Sequence, residues 1–336
     1  MASAAFDVVG IGNAIVDVIT TADEAFLGRE SLAKGSMTLI DAARAAALYQ
    51  GMGPATESSG GSAGNTMAGI ASLGGSGAFI GKVRDDQLGQ VFRHDIRTAG
   101  VAFDTPAAAS GPPTARCFVL VPPDAPRTLQ PYLGACVELT PEDVDPAMIA
   151  AAAVTYLEGY LYDPPLAKRA FLQAADDAHK AGRLVSLSLS DPFCVDRHRA
   201  AFLDLVADHV DILFANEAEL TALYRTDDVD QALRQVRGHC RVAAITRGAR
   251  GSVVVTEDDV VVVGADAVAR VVDTTGAGDL YAAGFLAGFT QGRELAACAM
   301  LGGIAAGEVI GHIGARPEQP LADLARARFG QFNSEA

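Results

Sequence analysis

A short β-branched run meets a turn of small residues and then a helical pattern in the segment Val271-Val272-Asp273-Thr274-Thr275-Gly276-Ala277-Gly278-Asp279-Leu280-Tyr281-Ala282-Ala283-Gly284-Phe285. The turn Gly276-Ala277-Gly278 carries no bulky side chain, so three successive backbone N–H groups can face a ligand where the helix macrodipole concentrates positive potential. Asp279 places a carboxylate beside this anion site. The pattern predicts phosphoryl transfer to a hydroxyl group. A glycine connector before a helix with an acidic first turn is an equally common structural feature.

The rest of the chain alternates strand-like apolar runs with helical patterns. The predicted strands lie at 6–12, 77–80, 117–121, 154–158, 184–189, 212–215, 242–246 and 252–256. The predicted helices lie at 41–50, 64–72, 88–99, 166–181, 200–207, 217–224, 229–237, 279–291 and 295–309. This alternation predicts an α/β fold in which helices cover both faces of a mostly parallel sheet.

Composition limits the classes of partner and environment. The 336 residues are enough for one large α/β domain with a small appendage. A net charge of −15 without a basic cluster argues against nucleic acid or an anionic membrane as a partner. The 5 cysteines are scattered without CxxC spacing, which predicts a cytoplasmic protein without a zinc site. The Ala-rich segments 147–157 and 296–306 are too short to span a bilayer, and we predict that they are buried helices.

Two segments, 18–40 and 110–133, fit the alternation poorly, because polar, Gly and Pro residues break their β-like pieces. They either pair as a small sheet that projects from the main body or form separate surface hairpins. The first interpretation predicts a small β lid made of these segments and a large domain made of 1–17, 41–109 and 134–336.

Two further motifs have the composition of a site for a polyhydroxylated ligand. Gly60-Gly61-Ser62-Ala63-Gly64-Asn65 precedes a helix, and its paired glycines allow close backbone approach while Asn65 offers a donor and an acceptor. A flexible turn with Asn65 as a helix cap explains the same pattern. Asp17 follows a Gly-Asn turn, and its carboxylate has the acceptor-only capacity that a vicinal diol requires. In isolation, Asp17 is more simply a solvated turn residue.

Three other features have a structural and a functional interpretation. Asn216 and Glu219 form the pattern of a capping box, which is the favoured interpretation on local grounds. The segment Ile245-Thr246-Arg247-Gly248-Ala249-Arg250-Gly251-Ser252 links two β-like runs and is most simply a hairpin. Arg127 is by default a surface arginine, but an arginine in a lid can stabilise charge on a phosphate. The chain carries neither a P-loop pattern nor the dinucleotide fingerprint.

The segment Asp273-Thr274-Thr275-Gly276-Ala277-Gly278-Asp279 resembles the C-terminal signature of the ribokinase-like (PfkB) family of sugar and nucleoside kinases. The segment from Gly60 to Asn65 is similar to the N-terminal signature of that family. Together with motifs near 12–17 and 216–219, the two signatures stand in the order typical of the family, so the resemblance covers nearly the whole chain. The resemblance implies a three-layer α/β/α fold with a mostly parallel central sheet. It also implies a β-sheet lid that closes over the substrate and excludes water.

The resemblance further implies a role for each motif. Asp279 would be the catalytic base, and the amides of Gly276, Ala277 and Gly278 would form the anion hole. The implied acceptor-binding residues are Asn13, Asp17, Gly61, Ser62 and Asn65. The implied phosphate-binding residues are Asn216, Thr246, Gly248 and Arg127, with Glu219 positioning Mg²⁺ through water. Asp273 and Thr275 lie where related kinases bind a monovalent cation such as K⁺. Because the helix dipole favours an ionised carboxylate, we expect Asp279 to be a weak base.

Within the family, the Asn13/Asp17 pair and Tyr156-Leu157-Glu158-Gly159-Tyr160 are most similar to adenosine kinases. This implies transfer of the γ-phosphate of ATP to the 5′-hydroxyl of adenosine, with Mg²⁺, in a purine-salvage enzyme that is a monomer or a homodimer. A ribokinase-like or fructokinase-like sugar kinase and an inosine/guanosine kinase are the alternative enzymes. A nucleoside- or ADP-binding regulator is the alternative from a different class, and an NAD-dependent oxidoreductase is disfavoured by the missing fingerprint.

Overall fold

A computed structural model of the protein describes residues 4–122 and 127–332. The strands are β1 (Phe6–Ile11), β2 (Ile15–Thr21), β3 (Thr56–Gly60), β4 (Gly77–Ile80), β5 (Val101–Ala102), β6 (Ala115–Val121), β7 (Thr128–Tyr132), β8 (Ala152–Glu158), β9 (Leu184–Ser188), β10 (Ile212–Asn216), β11 (Val242–Thr246), β12 (Ser252–Val255) and β13 (Val260–Val263). The α-helices are α1 (Glu24–Arg29), α2 (Ala42–Gly51), α3 (Ser62–Ser72), α4 (Gln87–Thr98), α5 (Pro146–Ala151), α6 (Pro165–Lys180), α7 (Pro192–Asp208), α8 (Glu217–Tyr224), α9 (Val229–Val236), α10 (Ala277–Thr290), α11 (Leu295–Val309) and α12 (Leu321–Phe332). Short 3₁₀ helices lie at Gly134–Glu138, Pro141–Asp143, Gly159–Tyr162 and Gly248–Arg250.

Nine strands form the main sheet in the order β13-β12-β11-β10-β9-β8-β1-β4-β5. All neighbouring pairs are parallel except β11 with β12 and β12 with β13. The chain enters at β1, continues to β4 and β5 on one side, and later builds outward from β8 on the other. The strand order therefore reverses next to β1, and ligands of open α/β sheets bind beyond the carboxyl ends of strands at such a switch point.

The two faces of the main sheet are covered by separate apolar clusters, because successive strand residues point to opposite faces. Val8, Tyr156 and Phe214 belong to the cluster that includes residues of α3, α4, α10 and α11. Val9 and Leu157 belong to the cluster that includes residues of α6, α7, α8 and α9. The arrangement is the three-layer α/β/α architecture that the alternation predicts.

A second sheet of four strands has the order β3-β2-β6-β7, with β2 parallel to β6 and the outer pairs antiparallel. The two segments predicted to form a lid, 18–40 and 110–133, supply most of β2 and all of β6 and β7. The sheet also contains β3, which lies outside both segments, and β2 begins before residue 18. Residues 123–126 of the second predicted segment lie outside the described residues. The division into a large domain and a lid stays a prediction.

Several elements differ from their predicted form for local reasons. The segment 147–157, predicted as a buried helix, is divided between α5 and β8, because its β-branched and aromatic end pairs with β1 and β9 in the sheet centre. Helix α10 begins at Ala277, so Asp279 is its third residue and not its first. The edge strand β13, which was not predicted, alternates between exposed and half-buried residues. Among the described residues, no helix is both long enough and apolar enough to cross a membrane.

Helices α10 and α11 pack with their backbones in close contact. A Cβ added to Gly284 would lie 2.3 Å from the carbonyl oxygen of Leu301 and 2.6 Å from the nitrogen of Gly302. Backbone atoms cannot move aside as a flexible side chain can. Gly284 is therefore required for the position of α10, the helix that carries Asp279.

The substitution Gly284→Ala should destabilise the protein by about 3 kcal/mol, because the added methyl group overpacks a backbone contact. The matched control is Gly303→Ala in α11, where no described heavy atom lies within 4 Å of the added Cβ. That change should stabilise the protein by about 0.5–1 kcal/mol, since alanine favours a helix over glycine. Urea unfolding measures both, and equal stability of the two variants would contradict the packing argument.

Candidate functional site

The carboxylate of Asp279 is held by the start of α3. The Ser62 hydroxyl donates to Asp279 Oδ1 over 2.6 Å, and Asn65 Nδ2 donates to Asp279 Oδ2 over 3.0 Å. These hydrogen bonds join residues 217 and 214 positions apart, so the two glycine-containing motifs meet in space. Asp279 is half-buried, and its oxygens retain lone pairs for a further donor.

The turn before α10 leaves its helix terminus open. Gly276 is the N-cap in the left-handed region at φ 80°, and a Cβ there would lie 2.8 Å from Ala315 Cα. Among the described residues, no side chain accepts a hydrogen bond at this cap. Gly278 is exposed, and no described heavy atom lies within 4 Å of the position of a Cβ. The N–H of Ala277 donates to the carbonyl oxygen of Thr274 over 3.3 Å, whereas the backbone at Gly278 faces open space, as an anion site requires.

A buried carboxylate, Glu158 at the end of β8, fixes the turn after β1. Glu158 Oε1 accepts from the backbone N–H of Asn13 over 3.2 Å and from Asn13 Nδ2 over 2.8 Å. Glu158 Oε2 accepts from the backbone N–H of Ala63 over 2.8 Å. Burial raises the pKa of Glu158 to about 7, against the effect of these donors. A Cβ on Gly12 would lie 2.3 Å from Oε2, so only glycine fits beside this carboxylate.

The second sheet contributes Asp17, which lies against a glycine of the neighbouring strand. A Cβ on Gly60 would lie 2.4 Å from Asp17 Oδ2. Burial raises the pKa of Asp17 to about 6, the charges of Arg316 and Arg127 lower it, and the charge of Asp279 raises it. The charge of Asp279 on α10 thus acts on Asp17 in the second sheet.

Gly61 connects the second sheet to α3 through a backbone conformation that favours glycine. It is the N-cap of α3 at φ 86°, and an added Cβ would lie 2.1 Å from the carbonyl oxygen of Asn13. The turns that carry Asn13 and Gly61 are therefore in direct contact. The five predicted acceptor-binding residues lie together around Asp279 and Glu158: Asn13, Asp17, Gly61, Ser62 and Asn65.

Arg316, in the loop after α11, lies in the middle of this group. Its Nε donates to Asn65 Oδ1 over 2.9 Å. Its Nη2 donates to the carbonyl oxygen of Ser59 over 2.8 Å and to the Ser59 hydroxyl over 3.0 Å. Arg316 was not among the predicted site residues, because one arginine in a Gly-Ala-Arg-Pro loop has no periodicity or spacing that marks it.

The predicted capping box at the start of α8 is confirmed. Asn216 Oδ1 accepts from the backbone N–H of Glu219 over 2.9 Å, and Glu219 Oε2 accepts from the backbone N–H of Asn216 over 2.9 Å. Asn216 Nδ2 also donates to Glu219 Oε1 over 2.6 Å. Burial raises the pKa of Glu219 to about 7, with further contributions from the negative charges of Asp191 and Asp279.

The segment of Thr246 and Gly248 lies beside this helix start. Thr246 is paired with Asn216 in the parallel register of β10 and β11. Gly248 is exposed in a left-handed conformation at φ 57°, and no described heavy atom lies within 4 Å of its Cβ position. Between them, Arg247 Nε contacts Glu217 Oε1 over 3.1 Å, and Arg250 also pairs with Glu217. The hairpin prediction is confirmed, since β11 and β12 are antiparallel.

Arg127 does not extend into solvent in this structure. Its Nη2 lies 2.6 Å from Asp273 Oδ2 as an ion pair in which both side chains are 9% exposed. Asp273 Oδ2 also accepts from the backbone N–H of Gly314 over 3.1 Å, and Oδ1 accepts from the backbone N–H of Thr275 over 3.1 Å. The default interpretation of Arg127 as a surface arginine is therefore wrong.

The pKa of Asp279 differs in direction from the expectation based on the helix dipole. Burial raises it, and the hydrogen bonds from Ser62 and Asn65 and the charge of Arg316 lower it by less. Desolvation by the surrounding protein outweighs the favourable end of α10. Asp279 is consequently a stronger base than the sequence suggests.

The acidic groups suit a metal that is bound mainly through water and phosphate. In the part of the chain that the structure describes, no cluster of three or more His, Cys, Asp or Glu residues could hold a metal ion. Mg²⁺ keeps several waters and needs only one or two carboxylates together with phosphate oxygens. Glu219, a single buried carboxylate coupled to Asp279, fits this kind of site.

The geometry agrees with what comparisons with known proteins show. A family model described as pfkB family carbohydrate kinase matches residues 45–321. The 5-dehydro-2-deoxygluconokinase of Geobacillus thermodenitrificans (strain NG80-2) is 28% identical over 277 residues, which cover 79% of this chain and 82% of that protein.

Two solved structures are similar over nearly the whole chain. The adenosine kinase from Sinorhizobium meliloti is 55% identical, with a TM-score of 0.89, over 96% of this chain and 99% of that chain. A probable sugar kinase protein from Rhizobium etli CFN 42 is 51% identical, with a TM-score of 0.90, over 97% of this chain and 99% of that chain.

The fold and the site define a phosphotransferase that acts on an alcohol group and uses ATP as co-substrate. The chain belongs to the pfkB family of carbohydrate kinases and has the ribokinase-like fold. This membership excludes the oxidoreductase alternative.

Glu158 should stabilise the fold through its three N–H donors. The substitution Glu158→Gln replaces one acceptor oxygen with an amide group, so at least one buried donor loses its partner, at a cost of about 1–3 kcal/mol. The control is Glu257→Gln at an exposed side chain, which should leave stability within about 0.5 kcal/mol. Urea unfolding compares them, and an unchanged midpoint for Glu158→Gln would show that Glu158 is dispensable for the fold.

Proposed function

We propose that this kinase transfers the γ-phosphate of ATP to the 5′-hydroxyl of adenosine, in a purine-salvage reaction. One observation carries the proposal: the Asp279 carboxylate lies at the open N-terminus of α10 and is oriented by Ser62 and Asn65. A base for a hydroxyl and a site for phosphate would thus be adjacent. The similarity to an adenosine kinase at 55% identity supports adenosine among the acceptors.

The acceptor nucleoside would lie between the second sheet and the start of α3. Asp17 would accept hydrogen bonds from the two ribose hydroxyls, because an ionised carboxylate only accepts. The open backbone at Gly61 and the polar side chains of Ser62 and Asn65 would contact the same sugar. Asn13 would be held toward it by Glu158. A neutral acceptor is favoured over an acidic sugar, since the carboxylates of Asp17 and Asp279 would repel an anion.

The reaction would depend on position and charge more than on strong base chemistry. Asp279 would hold the 5′-hydroxyl and take its proton as the bond to the leaving ADP breaks, because the transition state of phosphoryl transfer is loose. The amides of Gly276, Ala277 and Gly278 would stabilise charge that develops on the transferred group. Closure of the second sheet would exclude water and so suppress hydrolysis of ATP.

The proposed phosphate-binding groups lie at or just after the carboxyl ends of β10 and β11. Asn216, Thr246 and the open backbone at Gly248 would contact the phosphates, and Glu219 would hold Mg²⁺ through water. When bound, Mg²⁺ neutralises phosphate charge. Arg127 would exchange its partner Asp273 for a phosphate oxygen when ATP enters, which requires the ion pair to open.

At the predicted monovalent-cation site of Asp273 and Thr275, K⁺ would be held by oxygens other than those of the Asp273 carboxylate. Both carboxylate oxygens of Asp273 already accept backbone N–H groups, and the guanidinium of Arg127 is paired with Oδ2. Thr275 donates its backbone N–H to Asp273, and its carbonyl and hydroxyl oxygens are the kind of group that can ligate a cation. The K⁺ site stays a prediction.

The substitution Asp279→Asn should lower kcat by roughly 10²–10⁴-fold, because the amide keeps the shape of the side chain but cannot accept a proton. The KM for adenosine and the KM for ATP should change little. The control is Asp258→Asn at an exposed position, which should have wild-type rates. ADP release in a coupled assay measures both. Wild-type turnover of Asp279→Asn would remove this residue from the mechanism.

A screen of acceptors with γ-labelled ATP tests the substrate. Adenosine should have the highest kcat/KM in a set with inosine, guanosine, ribose, fructose and 5-dehydro-2-deoxygluconate. The analogue 5′-deoxyadenosine should inhibit competitively without forming product, because it lacks the reacting hydroxyl. Brisk phosphorylation of ribose or of the acidic sugar with negligible turnover of adenosine would replace the nucleoside assignment with a sugar kinase.

A further inference from the structure

We propose that Arg316 is a positioning residue of the kinase, which fixes the amide of Asn65 so that Asn65 donates to Asp279. The proposal rests on the proposed function of Asp279 as the base. Arg316 does not bond Asp279 directly and acts through Asn65. Three observations support this assignment: the orientation of the amide, the link to the second sheet and the placement of charge.

The first observation is that the two ends of the Asn65 amide have different partners. Asn65 Oδ1 accepts from Arg316 Nε over 2.9 Å, and Asn65 Nδ2 donates to Asp279 Oδ2 over 3.0 Å. A guanidinium has five donors and no acceptor, so only the amide oxygen can face Arg316. The amide nitrogen must then face Asp279. Without Arg316, rotation of the amide would bring two acceptor oxygens together at Asp279.

The second observation is that Arg316 joins the amide to the second sheet. Its Nη2 donates to the carbonyl oxygen and to the hydroxyl of Ser59, a residue of β3. Ser59 is in turn fixed by Asp95 of α4, whose Oδ2 accepts from the Ser59 backbone N–H over 2.7 Å and from its hydroxyl over 2.6 Å. The planar guanidinium therefore spans β3 and α3 with separate nitrogens, which a lysine ammonium cannot do in the same geometry.

The third observation is the place of the positive charge. Arg316 lowers the pKa of both Asp17 and Asp279 against the effect of their burial. The Arg316 guanidinium is not hydrogen-bonded to Asp279, but its charge favours the ionised forms of Asp17 and Asp279, which can then accept hydrogen bonds. The loss of this charge would add to the loss of amide orientation.

A double-mutant cycle separates this role from a merely structural one. Arg316→Met should lower kcat at saturating substrates by about 10- to 100-fold in the wild-type background, which is the scale of a misplaced catalytic group. In an Asn65→Ala background the same change should lower kcat by less than about threefold, because the amide through which Arg316 mainly acts is absent and only the smaller effect of its charge remains. The KM for ATP should stay within about twofold, since the phosphate-binding residues are untouched.

Two further variants keep the test decisive. Arg316→Lys retains the charge and should also lose kcat by about tenfold, because one ammonium cannot hold Asn65 and Ser59 together. Arg97→Lys is the matched control, since Arg97 also binds a backbone carbonyl, that of Phe103, and its other partner is the carboxylate of Asp104, away from Asp279. It should retain wild-type kcat. Near-wild-type circular dichroism and thermal unfolding identify the folded variants.

Small-molecule rescue gives an independent readout. Guanidinium at low millimolar concentration should restore part of the kcat of Arg316→Ala and should leave Arg97→Ala unchanged. Wild-type kcat for Arg316→Lys and Arg316→Met would overturn the inference. Equal losses from Arg316→Met with and without Asn65 would also overturn it, because the effect would not pass through the amide. If Asp279→Asn is inactive while the Arg316 variants are normal, the proposed function stands and only this inference fails.

Discussion

The hydrogen bonds from α3 to Asp279 are the constraint on which the site depends. Ser62 and Asn65 reach the carboxylate from a helix that is more than 200 positions away in sequence. These hydrogen bonds require the first turns of α3 and α10 to lie next to each other. The close contact of Gly284 with α11 fixes α10 on one side. Burial raises the pKa of Asp279, so the site contains a base that is stronger than its helix position suggests.

Two carboxylates of the site lie in close contact with glycines. Glu158 leaves no room for a side chain at Gly12, and Asp17 leaves none at Gly60. Each carboxylate is desolvated, which raises its pKa to about 7 and about 6, respectively. Desolvation of acids is costly unless donors compensate. Glu158 is compensated by backbone and amide N–H groups, whereas Asp17 is compensated by the charges of Arg316 and Arg127. The second kind of compensation leaves carboxylate oxygens available to a ligand.

Local patterns were sufficient for much of the fold. The inner strands of the main sheet were predictable because their apolar runs are buried on both faces, whereas its edge strands β5 and β13 were not predicted. Helix α8 was predictable from its capping box. One strand of the second sheet, β3, was harder to recognise. The run of β3, Thr-Glu-Ser-Ser-Gly, has no apolar alternation, and it is a strand because β2 supplies its hydrogen-bond partner. The segment 147–157 likewise changes from helix to strand where the sheet offers neighbours on both sides.

The sequence by itself determined the chemistry of the turns: which residues are small enough to expose backbone amides, and which acids and amides stand beside them. These are local properties, since glycine conformations and helix caps depend on a few neighbouring residues. Only the tertiary structure decided which groups meet. It brought Glu158 into hydrogen bonding with Asn13 and Arg316 into hydrogen bonding with Asn65. It also paired Arg127 with Asp273. Hydrogen bonds and ion pairs between distant segments leave no period or spacing in the chain, because they depend on how the segments pack.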